Sequence, residues 1–279
     1  MKSYPLQIIG RSAIAVTLAC LAVACHEEDE PRPSNHVSTD QTYAYFSVTA
    51  RATGPVYAHA QLREGGAAGT SLRLEGGDML WFSAGQSVDA FESTGSIADA
   101  LAEASENIAR MDERGTTEFD FLFVEFAIIG TPYYIATVNP VSEGRYYLGY
   151  LRQEMVNATD SFVTLPSAFD IIAPLPSETV SRTNDIVVNW ETSVESVDEV
   201  DINAALVCDN IIRQSFRDTM GNDPGTYTIP GGTLDETTNQ ICQMDIEITK
   251  RRFGELETGF NGGEINGQRV TTVTVMSID

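Results

Sequence analysis

Apolar and polar residues alternate with a period of two through most of the chain after residue 41. In segment 42–51, Ala44, Phe46 and Val48 share one phase, and segment 242–249 repeats the pattern. Successive side chains of a β-strand point to opposite faces, so this alternation predicts strands with one buried face. We therefore predict an all-β fold class.

The strand segments fall into two groups that are separated by prolines. The junction carries Leu165-Pro166 and Pro174-Leu175-Pro176, and prolines of this kind commonly punctuate the links between compact units. A chain of 279 residues is long enough for two ordinary domains. We predict a first β-sandwich module over residues 42–166 and a second over residues 167–279.

One segment of the first module departs from the period of two. Its apolar residues recur at spacings of four and three, which is the periodicity of one helix face. These residues are Ile97, Leu101, Ala104, Ile108 and Met111. We predict one amphipathic helix over Ile97–Glu113, inserted in the first module and packed against its sheet.

The first 24 residues have the organisation of an export signal. Positive charges at Lys2 and Arg11 precede an apolar run over residues 12–24, which at roughly 13 residues is too short to span a bilayer. The run ends in Leu21-Ala22-Val23-Ala24-Cys25, with small residues directly before a cysteine, and this resembles the lipobox of bacterial lipoproteins. We predict a lipoprotein signal peptide over residues 1–24.

The resemblance to a lipobox implies a modification of Cys25. In that family a signal peptidase cuts before the cysteine, whose sulfur carries a diacylglycerol and whose amino group is acylated. Two or more acyl chains hold a protein stably at a lipid membrane. Because His26 rather than Asp follows the cysteine, the resemblance implies the outer membrane. The alternative is an ordinary secreted protein cleaved nearby, since Ala22 stands where leucine is most common.

Residues 25–41 are acidic, rich in proline and serine, and almost devoid of apolar side chains. This composition predicts a flexible, solvated tether. Fully extended, its roughly 16 residues would reach about 55 Å at about 3.4 Å each. We expect the tether to carry the folded part clear of the lipid headgroups.

The cysteine pattern agrees with export. Of the four cysteines, Cys20 would leave with the signal peptide and Cys25 would take lipid. Cys208 and Cys242 remain, each on the apolar phase of a predicted strand. Because an envelope compartment oxidises neighbouring thiols, we predict a disulfide between them. Two buried free thiols are the alternative.

The second module resembles known β-sandwich families. Residues 185–190 form a short apolar strand that ends in Trp190 after a proline-rich lead, an order that resembles the first strands of fibronectin type III and immunoglobulin-like sandwiches. A wider array, segments 161–174, 227–234 and 267–270 with the cysteine pair, resembles a group of bacterial envelope lipoproteins. These resemblances imply no activity, cofactor or catalytic residue.

The charge of the chain limits its partners. Forty Asp and Glu stand against 17 Lys and Arg, a net charge of -23, which argues against nucleic acid as a partner. His59 lies on the polar phase of its segment, which predicts an exposed histidine rather than a catalytic base. The sequence lacks Gly-x-Ser-x-Gly, a phosphate-binding loop and Cys-x-x-Cys, and we predict no metal site and no cofactor.

Five tyrosines concentrate on two predicted strands. They are Tyr133, Tyr134, Tyr146, Tyr147 and Tyr150. Aromatic faces can stack on sugars or contact a protein, so these residues are our candidate binding surface. Packing of the rings across the strands, with the phenols at the rim, is the alternative.

A basic triplet, Lys250-Arg251-Arg252, interrupts the acidic sequence. Lys250 is the only lysine after the predicted cleavage. We expect this triplet to pair with neighbouring carboxylates.

These features favour a lipid-anchored protein of the cell envelope that is not an enzyme and that binds or braces a protein or a glycan outside the membrane. The alternative is a carboxylate-dependent polysaccharide hydrolase. Such an enzyme would need two carboxylates about 5–10 Å apart in one cleft. Among 40 acidic residues, spacing alone selects no such pair.

Overall fold

The computed structural model describes residues 30–87, 107–115, 131–142, 144–234 and 241–278. These residues form β-strands and two short 3-10 helices, Ser34–His36 and Thr39–Gln41, which confirms the all-β prediction. The strands are β1 Arg32–Pro33, β2 Thr42–Arg51, β3 Val56–Glu64, β4 Leu72–Arg73, β5 Met79–Ala84, β6 Ile108–Arg110, β7 Asp112–Gly115, β8 Pro132–Val138, β9 Arg145–Leu151, β10 Ala158–Thr164, β11 Ile171–Ala173, β12 Thr179–Ser181, β13 Ile186–Trp190, β14 Glu199–Cys208, β15 Ile211–Met220, β16 Thr226–Ile229, β17 Cys242–Phe253 and β18 Gly263–Ile278. No helix within these ranges has the length and apolar character needed to span a bilayer.

The largest sheet has nine strands, ordered β15-β14-β17-β18-β2-β3-β8-β7 with β12 beside β18. Most neighbours are antiparallel, but residues 263–270 of β18 pair in parallel with residues 44–51 of β2. At Gly263, φ is 132° and a Cβ atom would lie 1.9 Å from the carbonyl oxygen of Ala44, so this close approach requires glycine. Strand β18 thus joins the N-terminal and C-terminal strands in one sheet.

Two smaller sheets pack against the large one and enclose two hydrophobic cores. The first core lies under the four-stranded sheet β10-β9-β5-β6, and the second lies under the three-stranded sheet β11-β13-β16. Ile265 enters the first core and Val273 enters the second. These two residues share one phase of β18, so both cores lie on the same face of the large sheet. This arrangement of facing sheets agrees with the β-sandwich prediction.

The C-terminal part of the chain also contributes to the first core. Phe260 and Ile265 belong to the predicted second module, yet both are buried in the first core. The two cores consist of different residues, but the first core includes residues from beyond the predicted division at residue 166. The parallel pairing of β18 with β2 brings Ile265 into the first core.

The predicted helix over Ile97–Glu113 is wrong in its C-terminal part. Residues 108–110 form β6, which pairs with β5, and residues 112–115 form β7, which pairs with β8. Met111 lies between them, donates its backbone N–H to the Leu80 carbonyl and buries its side chain in the first core. Sheet pairing therefore satisfies this backbone in place of helical hydrogen bonds. Residues 97–106 lie outside the described residues.

Residues 32–41 pack against the first core, so the prediction of a solvated tether is wrong for this part of the chain. Strand β1 pairs in parallel with β4, and Val37 is fully buried. We call residues 32–41 the N-terminal strap. Its sequence contains a single aliphatic side chain, which is why composition alone indicates a solvated segment.

Polar contacts hold the strap in place, and Arg152 is their centre. Its Nη2 donates to the carbonyl oxygens of Ser34 and Val37 at 2.8 and 2.9 Å, and its Nη1 donates to Thr39 Oγ1 at 3.2 Å. Its Nε donates to Asp78 Oδ2 at 2.9 Å, and both side chains are at most 2% exposed. A buried charge is tolerated only when hydrogen-bond partners replace the water that it has lost. The N-terminal strap and the Arg152–Asp78 ion pair therefore stabilise each other.

A fragment that begins at Thr42 should be less stable than one that begins at Glu30. Removal of the strap takes away three acceptors of the buried Arg152 guanidinium, and disruption of a buried charged network costs about 3–5 kcal/mol. Urea unfolding of the two fragments, both ending at Asp279, measures the difference. Equal midpoints and slopes would show that the strap does not contribute.

Candidate functional site on the four-stranded sheet

The five candidate tyrosines do not form one surface. Tyr134, Tyr146 and Tyr150 are at most 1% exposed and lie in the first core, so their assignment to a binding surface is wrong. Neighbouring residues point to opposite faces of a strand, which leaves Tyr133 and Tyr147 on outer faces. They belong to different sheets, since β8 lies in the nine-stranded sheet and β9 in the four-stranded sheet.

The buried phenols are hydrogen-bonded parts of the core. Tyr134 Oη accepts a hydrogen bond from the Leu74 N–H at 2.8 Å, and Tyr150 Oη donates to Asp78 Oδ2 at 3.4 Å. Burial raises the pKa of Tyr134 and of Tyr150, so both phenols keep their protons at neutral pH. Both rings pack in the core, and Tyr150 also supports the Asp78 carboxylate.

His59 is half-buried on the outer face of the nine-stranded sheet, beside two tyrosines. Its ring centroid lies 5.4 Å from that of Tyr133 and 6.4 Å from that of Tyr45. Burial lowers the pKa of His59 to about 4, so the imidazole is neutral at pH 7. The prediction of an exposed histidine is therefore wrong, because these rings take the place of solvent.

Tyr147 belongs to an aromatic group on the outer face of the four-stranded sheet. Its ring centroid lies 5.8 Å from that of Phe162, its direct register partner on β10. The guanidinium carbon of Arg145 lies 5.0 Å from the Phe162 centroid, within the range of a cation–π contact. Tyr147 and Phe162 are half-buried and Arg145 is exposed. We call these three residues the aromatic face.

Trp81 extends this surface by one strand, diagonally from Tyr147. Its register partner on β9 is Gly149, which carries no side chain. It packs with Leu151, Met79 and Ile108. Trp81 is 2% exposed, and its buried indole N–H has no hydrogen-bond acceptor among the residues that the structure describes. A buried donor without an acceptor costs about 1–3 kcal/mol.

No motif in the sequence indicates that Arg145, Phe162 or Trp81 is part of a site. The period of two could have placed Tyr147 and Phe162 on outer phases of their strands, since both lie between residues that are buried. The adjacency of β10, β9 and β5 is a long-range pairing that alternation does not reveal. That adjacency brings the three side chains to one face.

Asp201 and Glu247 lie on neighbouring strands of the large sheet, on the face opposite to the cores. Asp201 accepts hydrogen bonds from Arg217 and Arg251 at 3.1 and 3.0 Å. Burial raises the pKa of Glu247. The two residues are 4% and 6% exposed, so they do not present the open acid pair that a hydrolase would need. Within the described ranges, no group of three or more His, Cys, Asp or Glu is placed to hold a metal ion.

Lys250 is fully buried at the edge of the second core, and its expected pairing with a carboxylate is confirmed. Its Nζ donates to Asp223 Oδ2 at 2.7 Å and to the Glu191 carbonyl oxygen at 2.5 Å. Trp190 Nε1 donates to Asp223 Oδ1 at 2.7 Å. Burial acts to raise the pKa of Asp223, but hydrogen bonds from Lys250, Ser193 and Trp190 outweigh it and lower that pKa.

Replacement of Asp223 by Asn should destabilise the protein at pH 7 and remove part of its acid sensitivity. Because the pKa of Asp223 is lower in the folded than in the unfolded chain, the stabilisation is complete above the unfolded pKa of about 4 and is lost as pH falls through the folded value. Urea unfolding between pH 7 and pH 3 tests this. The difference in unfolding free energy between wild type and variant should shrink below about pH 4.

The exposed Asp170 offers a matched control, since Asp170→Asn removes a carboxylate from the same module without breaking a buried ion pair. It should leave the unfolding free energy at pH 7 almost unchanged. If the difference in unfolding free energy between wild type and Asp223→Asn stayed constant from pH 7 to pH 3, this would contradict the role of Asp223.

Cys208 and Cys242 form a disulfide with an S–S distance of 2.03 Å, which confirms the predicted pairing. They lie at the end of β14 and the start of β17, and both are buried in the second core. The bridge connects residues 34 positions apart. Cys25 precedes the described residues, so its lipidation stays a prediction.

Reduction of this disulfide should lower the unfolding free energy by about 3–4 kcal/mol on the loop-closure model for about 34 residues. Urea unfolding with and without reductant measures the change, after a thiol count has verified the redox state. The Cys208→Ala/Cys242→Ala double variant is the control, because reductant should not affect it. An unchanged midpoint of the reduced wild type would contradict the prediction.

No protein-family model matches the chain, and no curated protein matches it. Among solved structures, the chain is similar to the fibronectin(III)-like modules of CbhA from Clostridium thermocellum. That similarity has 9% sequence identity, covers 87% of this chain and 90% of the other, and has a TM-score of 0.21.

Proposed function

We propose that this protein is held to a membrane by lipid on Cys25 and acts outside the membrane as a non-enzymatic binding module. The aromatic face carries the proposal of binding, because two half-buried rings and an exposed guanidinium lie together on paired strands. The signal peptide and the resemblance to a lipobox support the anchor. The disulfide supports an oxidising compartment.

The aromatic face is suited to binding without rearrangement. Tyr147 and Phe162 are direct partners in the β9–β10 ladder, so backbone hydrogen bonds set the distance between their rings. Sites on strands are more precisely positioned than sites on loops.

The strap supports a short distance between this module and the proposed anchor. Arg32, where strand pairing begins, follows Cys25 by about seven residues, which reach about 24 Å when fully extended at about 3.4 Å each. The tether expected from sequence would reach about 55 Å. The first module would therefore work near the lipid headgroups, and we propose the outer membrane as its location, on the resemblance-based argument from His26.

Replacement of Cys25 by Ser should release the protein from the membrane fraction, because the thioether to the diacylglycerol needs the cysteine sulfur. Fractionation of cells followed by intact mass measurement tests this. Wild type should appear in the outer-membrane fraction with the mass of a cleaved, acylated chain that begins at Cys25. The serine variant should carry no lipid.

Cys20→Ser is the matched control, since Cys20 lies in the segment that cleavage would remove. It should leave membrane association and mature mass unchanged. Membrane retention of the Cys25→Ser protein, or a wild-type mass without acyl chains, would overturn the proposed anchor.

A further inference from the structure

We infer that β15, the edge strand of the nine-stranded sheet, pairs with β15 of a second copy of this chain in antiparallel orientation. Such self-association goes beyond the proposed binding function. Three features of β15 support it: its open edge, the absence of net charge along it, and a register that fits a two-fold symmetric contact.

Strand β15 stands at one end of the strand order, so one side of its backbone is open. It pairs with β14, and no other strand in the described part of the chain pairs with it. Most of its side chains are exposed, including Ile211 and Ile212 at 54% and 51%. An exposed strand edge is a template for pairing with another chain.

A bulge shortens this edge without closing it. The register with β14 shifts at Arg213, which faces no residue of β14. Bulges, prolines and lysines are the usual means by which strand edges are kept from pairing. Residues 214–220 lie beyond the bulge, pair regularly with β14 and contain neither proline nor lysine. They provide an unprotected edge with the length of an ordinary strand.

The edge lacks the acidic excess of the chain. Residues 209–220 carry two acidic and two basic side chains, whereas the whole chain has a net charge of -23. These side chains are Asp209, Arg213, Arg217 and Asp218. Because the edge has no net charge, a second acidic copy can approach it without local repulsion, and a strongly basic partner gains no attraction there. The charge therefore favours a second copy as the occupant.

Two-fold symmetry limits the register of such a dimer. Side chains directly opposite each other point to the same face of a sheet, so opposed positions differ by an even number and the residue midway faces its own copy. With Ser215 midway, Arg213 would face Arg217. With Arg217 or Asp218 midway, two like charges would meet. With Phe216 midway, no like charges face each other, and residues 214–218 of both copies pair beyond the bulge.

The register centred on Phe216 also brings two aromatic rings together. Phe216 is half-buried at the border of the second core, with its ring centroid 6.0 Å from that of Tyr227. Opposite its own copy, the ring would gain an aromatic neighbour across the strands. On the outer face, Ser215 would lie opposite Arg217 of the second copy, twice in each dimer. The contact would therefore respond to a charge at position 215.

Sedimentation equilibrium of the mature chain tests the inference. The chain covers residues 25–279 and carries Cys25→Ser, so neither lipid nor a free thiol at that position joins copies. Its average mass should rise from that of one chain towards that of two as concentration increases. Ser215→Glu should strengthen dimerisation about fivefold and Ser215→Arg should weaken it about fivefold, because each charge would face Arg217 twice.

Val194 offers charge-matched controls, because it is 99% exposed and lies outside the strands. Val194→Glu and Val194→Arg change the net charge by the same amounts as the variants of Ser215. General repulsion between acidic chains would make glutamate weaken and arginine strengthen association at both positions. The expected effects at Ser215 have the opposite sign, so they separate a specific contact from the effect of net charge.

Phe216→Cys tests the register. Opposed residues of antiparallel strands have Cα atoms about 4.5–5.5 Å apart, within the range that a disulfide spans. Mild oxidation should therefore link two Phe216→Cys chains, whereas Thr219→Cys, on the same strand but opposite position 213, should stay unlinked. Circular dichroism verifies the fold of each variant. A mass that stays monomeric at every concentration, equal effects of one charge at positions 215 and 194, or equal linking of both cysteine variants would each overturn the inference.

Discussion

The parallel pairing of β2 with β18 is the contact on which the architecture depends. Strand β18 is 16 residues long, and its first half pairs with β2 while β17 accompanies most of its length. Both cores attach to one face of this strand, through Ile265 and Val273. The two halves of the molecule therefore share a backbone hydrogen-bond ladder, even though their hydrophobic interiors are distinct.

This pairing also explains why the ends of the chain are interdependent. Strand β2 lies near the start of the described chain and β18 at its end, so the ladder closes only when both are present. Gly263 permits the approach, since any Cβ at that position would overlap the Ala44 carbonyl. Contacts of this sequence separation form slowly, because a long loop must close before they stabilise anything.

Two buried cations attach irregular segments to the cores by the same physical means. Arg152 pairs with Asp78 and lies 4.5 Å from the Tyr150 ring, and Lys250 pairs with Asp223 and lies 4.2 Å from the Phe169 ring. Each cation also donates to backbone carbonyl oxygens. A carboxylate, a ring and carbonyls together offset the loss of water around the charge. Arg152 thereby orders the strap, and Lys250 orders the chain segments around Glu191 and Asp223.

The alternation of apolar and polar residues was sufficient to predict the fold class and the inward direction of both paired cysteines, because a strand's two faces are a local property. It also placed tyrosines on the right strands. Strand order was decided only by the tertiary structure, and with it the partnership of Tyr147 with Phe162. The strap likewise required the fold, since its polar sequence with a single aliphatic side chain resembles a solvated linker until a buried arginine from a distant loop binds its carbonyls. Local patterns encode which face of a strand is apolar. The order of neighbouring strands and the partners of buried charges are set by contacts between residues far apart in sequence, and a local pattern does not predict such contacts.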